Sequence, residues 1–252
     1  MKKGIYKVIF VIALCVFIFS LGQIIKIKMD NHKESLEKNK LIEIAKLPNE
    51  ETLKQNKHQT SVDFDALKTI NEDIVGWIYL PDTNINYPIV KGEDNDYYLD
   101  HSFEKQSNYA GAIFMVYRQD GNFIEYNTFI YGHNMWHDTM FTNIEKMKDE
   151  SFFYDHPYLY LFTINGNYEC EIFSIYTTTS NSDSYCIDFT NDQAYLDYLN
   201  MVQALSDFET DVVLSEADKI ITLSTCSHEY QNQSSNLRYL LHAKLVKQNH
   251  EQ

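Results

Sequence analysis

The sequence predicts a mainly β protein: a barrel of roughly eight strands, with helices on its N-terminal side and one long helical insert before a strand that ends in cysteine. Three observations predict it. The chain holds 19 Tyr and 15 Phe in 252 residues, and aromatic residues, like β-branched ones, suit a pleated, half-buried surface. From Trp77 onward, short apolar runs are bounded by Asn, Asp, Gly and Pro, as strands separated by turns are. Helical spacing is confined to a few segments between or before those runs.

The N-terminal stretch MKKGIYKVIFVIALCVFIFSLGQIIKIK carries Lys2, Lys3 and Lys7, then an uncharged run from Val8 to Ile25. A bilayer is spanned by about 20 apolar helical residues, and a cleaved secretory signal has a shorter core. Residues 1–28 therefore read as an uncleaved, single-pass membrane anchor, with the lysines on the cytoplasmic side and the rest of the chain outside the cell. Residues 29–60 read as a polar stalk or helical linker, with Leu36, Leu41, Ile44 and Leu47 near helical spacing and Pro48 as the break. Residues 61–252 form the main domain. Its first segment, SVDFDALKTINEDIVGW, reads as a helix capped by Ser61 or Asp63, with Phe64, Leu67, Ile70 and Ile74 on one face and Gly76 at its end.

Strand-like runs follow: WIYLPDTNINYPIV, GAIFMVYR, NTFIYGHN, YLYLFTINGNYECEIFSIYTTT with a hairpin turn at INGNY, KIITLSTC and LRYLLHAKLVK. Two helical inserts interrupt them, MFTNIEKMKDESFF and NDQAYLDYLNMVQAL. The second aligns Tyr195, Leu196, Leu199, Val202 and Leu205 along one side. Short strands with helical excursions point to a closed or nearly closed mixed barrel.

A net charge of −15 would repel a phosphate backbone, which argues against nucleic acid as a partner. No Gly-rich phosphate loop is present, so no nucleotide is implied. Four cysteines are too few for a disulfide scaffold. Cys170 and Cys186 read as buried small residues on strands rather than as a bridge.

Cys226 differs from those two. It ends a β-branched and apolar run, KIITLSTC, and is followed by polar residues, so it is either a plug at the end of a strand or a nucleophile at its rim. A nucleophilic thiol needs a base or cation beside it, because a free cysteine titrates near ~8.5. Of nine histidines, His133 closes the run TFIYGH and lies at a strand end as Cys226 does, with Tyr131 two residues back on the same face. His228 is the local rival, in a polar turn. His101, His156 and His242 read as surface or satisfied core residues. Arg238, early in the last strand, has donors that could hold an oxyanion; by spacing alone it reads as a surface cation on an acidic protein. A metal site built from His133, His137, Cys226 and His228 lacks the helical context and the glutamate such sites carry. No metal or cofactor is expected.

Taken together, YGHN (Tyr131–Asn134), TLSTC (Thr222–Cys226) and LRY (Leu237–Tyr239), in that order behind an anchor, resemble the sortases, membrane-anchored cysteine transpeptidases of Gram-positive bacteria. The resemblance covers Ser61 to Lys247 and is nearest to class B, whose N-terminal helices and long helix before the cysteine strand correspond to Val62–Asp73 and Asn191–Leu205. It implies Cys226, His133 and Arg238 as catalytic residues meeting at one end of the barrel, and Asn95, Leu99, Tyr131, Ser224 and Thr225 as substrate-binding residues. It also implies cleavage of an NPxT-like C-terminal sorting motif after Thr through a thioacyl enzyme. The acyl group would pass to a cell-wall amine from a peptidoglycan precursor, and the substrates would be surface proteins. Ser227 stands where some relatives carry an acidic residue. The alternatives are another cysteine peptidase, disfavoured where papain-like enzymes place Cys before His, and a membrane-tethered β-rich binding domain that needs no reactive thiol.

Overall fold

The computed structural model describes residues 2–48, 51–53, 60–135, 138–227 and 236–247. The chain divides into two compact units, residues 1–40 and 41–252. Helix α1 (Lys2–Ile44) runs through the predicted anchor without interruption, and within it Tyr6–Lys26 is long and apolar enough to cross a membrane, at 21 residues and mean hydropathy 2.8. It ends four residues before Pro48, where Lys46 adopts a left-handed backbone (φ 55°).

The second unit begins inside the segment read as a stalk. Leu41, Ala45, Leu47 and Leu53 are buried there with Phe64, Leu67, Trp77, Tyr79, Tyr160 and Phe162. The helix expected over Val62–Asp73 is a single turn, α2 (Phe64–Lys68), with Asp63 as its N-cap accepting from the Ala66 amide at 3.0 Å. It stops at Lys68 with Thr69 as C-cap, and three residues on the buried Asn71 side chain donates to Tyr98 Oη and the Phe103 carbonyl, both at 2.8 Å. Ile74 and Gly76, expected in that helix, belong to the first strand instead.

The strands are β1 (Ile74–Tyr79), β2 (Asn86–Val90), β3 (Ile113–Met115), β4 (Asn127–Tyr131), β5 (Tyr158–Thr163), β6 (Gly166–Thr179), β7 (Ile220–Cys226) and β8 (Leu237–Lys247). They close into a barrel in the order β1-β2-β3-β4-β7-β8-β6-β5. The β2–β3 and β4–β7 pairs are parallel and the others antiparallel, so this is the mixed barrel the sequence predicts. The INGNY hairpin joins β5 to β6, with Thr163 opposite Gly166. The insert Met140–Phe153 is two short pieces, a 3-10 segment (Thr142–Lys148) and α3 (Glu150–Asp155). The insert before the cysteine strand is one helix, α4 (Asp192–Ala204), capped by Asn191.

Period-two alternation sorts each strand into two faces. On β7, Ile221 and Leu223 point into the barrel and meet Ile78, Ile130, Leu161, Ile175 and Leu241. Ile220 points outward, where Tyr195, Leu199 and Val202 of α4 cover it together with Leu240 and Phe173. Cys170 is a buried free thiol on β6, as expected, and its desolvation raises its pKa well above the ordinary thiol value. Cys186 is also free but only half-buried, and lies in the loop before α4 rather than on a strand.

Candidate active site

Cys226 is the last residue of β7 and stands directly opposite Arg238 on β8. The Ser227 amide donates to the Leu237 carbonyl at 2.9 Å, so Ser227–Leu237 is a hydrogen-bonded pair and Cys226–Arg238 the neighbouring non-hydrogen-bonded one. That is the pair type in which cross-strand side chains lie closest, with Cα atoms about 4.5 Å apart. By alternation both side chains are on the outer wall of the barrel, with Ser224 and Thr222. The site is thus near one end of the strands, but on the wall and not in the mouth.

The third predicted residue arrives from the other side of β7. β4 runs parallel to β7 with Tyr131 opposite Ser224, and His133 lies two residues beyond the strand. Gly132 makes the passage possible. A Cβ there would come within 2.4 Å of Ile113 Cδ1 and 2.8 Å of the Phe141 ring, so any other residue would force the chain away from the core. The His133 carbonyl accepts from the Phe141 amide at 2.9 Å. On the imidazole, Nε2 lies 2.8 Å from the Leu99 carbonyl. A carbonyl only accepts, so Nε2 carries a hydrogen, and Nδ1 is the nitrogen left to gain or lose a proton.

The loop that supplies Leu99 is itself held firmly. Asp94 accepts from the amides of Asp96 and Tyr97 at 2.9 and 2.8 Å, which lowers its carboxyl pKa, the Tyr97 amide contributing most. Buried Tyr98 donates to Asp73 at 2.5 Å. Gly111 adopts φ +63° against the Tyr98 carbonyl, where a Cβ would lie at 2.4 Å.

All eight residues predicted for the site line one cleft of about 610 Å³: Cys226, His133, Arg238, Asn95, Leu99, Tyr131, Ser224 and Thr225. Thr225 borders it differently from the rest. Its side chain alternates inward and is 2% exposed, so what it offers the cleft is main chain. His228, the local rival, and His137, named in the metal reading, lie outside the described residues. Sequence reasoning missed Phe114, Ser180 and Tyr185, which also line the cleft. Tyr185 sits in an irregular loop where no periodicity marks it. Its hydroxyl lies 2.8 Å from Ser224 Oγ.

Two phenols border the thiol and the guanidinium. Burial pushes Tyr131 up to about 12, helped by Tyr185 and opposed by the positive charge of Arg238. Tyr185 is raised by burial, opposed by its Ser224 hydrogen bond and by Arg238, with the neighbouring Cys226 also raising it. Both stay neutral at physiological pH and can act as hydrogen-bond donors or acceptors.

Behind the cleft, between the barrel wall and α4, lies a buried polar chain. Thr222 Oγ1 donates to Asn127 Oδ1 at 2.7 Å and so must accept from His242 Nδ1 at 2.9 Å. The His242 Nε2 then accepts from Tyr176 Oη at 3.1 Å. Burial pushes His242 down to about 3, which fits a neutral ring with its hydrogen on Nδ1. Asn127 Nδ2 donates to Tyr198 Oη at 2.9 Å and to the Cys186 carbonyl at 3.2 Å, and Tyr198 donates to the Ser184 carbonyl at 2.8 Å. The loop carrying Tyr185 is in this way tied to β7, which carries the thiol, and to β4, which leads to His133.

The profile of the sortase domain matches residues 78–246. Sortase B of Listeria monocytogenes is 39% identical over 180 residues, covering 71% of this chain and 72% of that one. The chain belongs to the sortase family. Sortase B of Staphylococcus aureus is 37% identical over 194 residues, 76% of this chain and 79% of that protein. A structure of a Staphylococcus aureus sortase B–substrate complex superposes with a TM-score of 0.76 at 34% identity, covering 88% of this chain and all of that one. Family, fold and relatives together make this a class B-like sortase, a transpeptidase whose substrates are surface proteins. Helix α1 is compatible with a single-pass anchor for such an enzyme.

Proposed function

We propose that this sortase cleaves a C-terminal sorting motif after Thr and transfers the new acyl end to an amine of a peptidoglycan precursor. The observation that carries it is the cross-strand pairing of Cys226 with Arg238 on the wall of the cleft that His133 enters from β4. The Cys226 thiolate attacks the Thr carbonyl carbon, and the Arg238 fork holds the oxyanion that forms. The C–N bond then breaks, and the leaving amine takes a proton from His133 Nδ1 while Nε2 stays on the Leu99 carbonyl. The acyl group remains as a thioester on Cys226. The acceptor amine attacks it, His133 recovers a proton from that amine, and the thiolate is released, so the cycle consumes no net proton.

Asn95, Leu99, Tyr131 and Ser224 line the path of the bound peptide, with the main chain at Thr225. An NPxT-like motif is the first candidate to test. Lys2, Lys3 and Lys7 place the N-terminus in the cytoplasm, the helix over Tyr6–Lys26 spans the membrane once, and residues 61–252 work outside the cell.

The test is a panel of five-residue motifs presented to the soluble domain with and without an acceptor amine. Cleavage with amine-dependent transfer is expected from the unchanged protein, and none from Cys226→Ala or His133→Ala. Arg238→Lys is expected to lose about 100-fold in kcat, because the planar donor pair is gone although the charge remains. Full cleavage by Cys226→Ala would overturn the assignment.

A further inference from the structure

Asn134 follows the predicted catalytic histidine, is 9% exposed, and has no part in the chemistry described above. Its Nδ2 donates to the Cys226 main-chain carbonyl at 2.7 Å, across 92 residues of sequence. The oxygen of Cys226 can only accept, so the amide's orientation is fixed with nitrogen toward β7. The other end of the amide, Oδ1, is buried with no hydrogen-bond partner among the described residues. A half-satisfied buried amide is unfavourable by itself, and such exceptions concentrate where function requires the group.

The ladder explains what the group does. Cys226 is in a non-hydrogen-bonded pair with Arg238, so its carbonyl faces β4 rather than β8. Along the parallel β4–β7 ladder, the Gly132 amide donates to the Ser224 carbonyl at 3.3 Å. Two residues on, regular pairing would put the Asn134 amide on the Cys226 carbonyl. β4 has ended at Tyr131, and the chain leaves β7 as it passes through His133. The side-chain amide of Asn134 reaches back and makes the bond that the backbone has given up. The departure and the bond together leave His133 lining the same cleft as Cys226 without severing its turn from the strand that carries the thiol.

We infer that Asn134 is a positioning residue for the transpeptidation, a side-chain rung that ties the His133 turn to the main chain of the nucleophile. This inference rests on the assignment of Cys226 and His133 as the reacting pair. Loss of the rung relaxes the spacing of the two groups while substrate binding along Asn95, Leu99 and Tyr131 persists, so the loss falls on kcat.

The test compares Asn134→Ala, Asn134→Asp and Asn134→Gln with the unchanged enzyme in motif-peptide cleavage, together with thermal unfolding and the pH dependence of Cys226 alkylation by iodoacetamide. Asn134→Ala and Asn134→Asp are expected to lower kcat by about 10- to 100-fold, the scale of a misplaced reacting group, with KM within about threefold. Asn134→Asp is expected to be the worse of the two, because its carboxylate faces a carbonyl oxygen, and Asn134→Gln to recover part of the rate. The alkylation profile is expected to move in both impaired variants, which a loss of folded protein alone would not cause. A kcat for Asn134→Ala within twofold of the unchanged enzyme, or a fall that merely tracks the folded fraction, overturns the inference. Cys226→Ala in the same assay separates the two levels. An inactive Cys226→Ala beside fully active Asn134 variants sinks the rung alone, whereas an active Cys226→Ala sinks the reacting pair and the rung with it.

Discussion

On the β7–β8 ribbon, the face turned into the barrel carries Ile221, Leu223, Tyr239, Leu241 and Ala243. The face turned out carries Thr222, Ser224, Cys226, Arg238 and His242, with Ile220 and Leu240 as apolar exceptions in the cluster beneath α4. One pair of strands therefore serves two purposes at a spacing of one residue. The inner face gains its stability from burial of apolar surface, which has no direction, whereas the outer face depends on particular atoms meeting at particular distances. The inner face should therefore tolerate a change of shape better than of volume, and the outer face the reverse.

The largest expected effect divides the two faces most sharply. Cys226→Ala removes one outward atom and is expected to abolish cleavage, by about 10,000-fold or more, with the melting temperature nearly unchanged. Leu223→Ala, three residues away and facing inward, is expected to cost about 2–5 kcal/mol of stability by leaving a cavity, visible in denaturant unfolding, while the folded fraction keeps its kcat. A Leu223→Ala enzyme that folds normally but cannot cleave would break the division. Gly132→Ala, just past β4, joins the two kinds of demand, since its methyl would press on the apolar Ile113 and Phe141. It is expected to lose about 1–3 kcal/mol from overpacking and to lower kcat as well, because His133 follows directly.

A pH-dependent effect concerns His242. Its folded pKa of about 3 lies below the 6.5 of an exposed imidazole, so below pH 6.5 the unfolded chain takes up a proton that the folded one refuses. Its contribution to stability is complete above pH 6.5 and is lost as pH falls toward 3, at up to about 1.4 kcal/mol per pH unit. His242→Gln is expected to be less stable at pH 7 and to show a flatter decline between pH 6.5 and 5, measured by urea unfolding at each pH.

Much of this was legible in the sequence, and for reasons that can be stated. The strands show because alternation writes their two faces directly into residue order, and α4 shows because Tyr195, Leu199 and Val202 recur at helical spacing beneath a good N-cap, Asn191. The helix expected over Val62–Asp73 is one turn ending at Lys68, and the segment after it is held by Asn71, whose side chain bonds Tyr98 and Phe103, partners about thirty residues away that no local pattern announces. Cys226 was legible as a strand end, and His133 nearly so, since β4 stops at Tyr131 and the histidine follows two residues later. Arg238 was not legible by itself, because only the register of β7 against β8 makes it the partner of the thiol. Asn134 and Tyr185 escaped for the same reason: each acts through one long-range hydrogen bond, and such a bond leaves no period in the sequence.

The cleft lies on the outer wall of the barrel, where Cys226 and Arg238 face each other, and not in its mouth. A peptide can be laid into such a trough from solvent, and neither of its ends has to be threaded. In the reaction proposed above, whatever is joined upstream of the cut, including a domain that has already folded, can remain outside while a few residues lie across the sulfur.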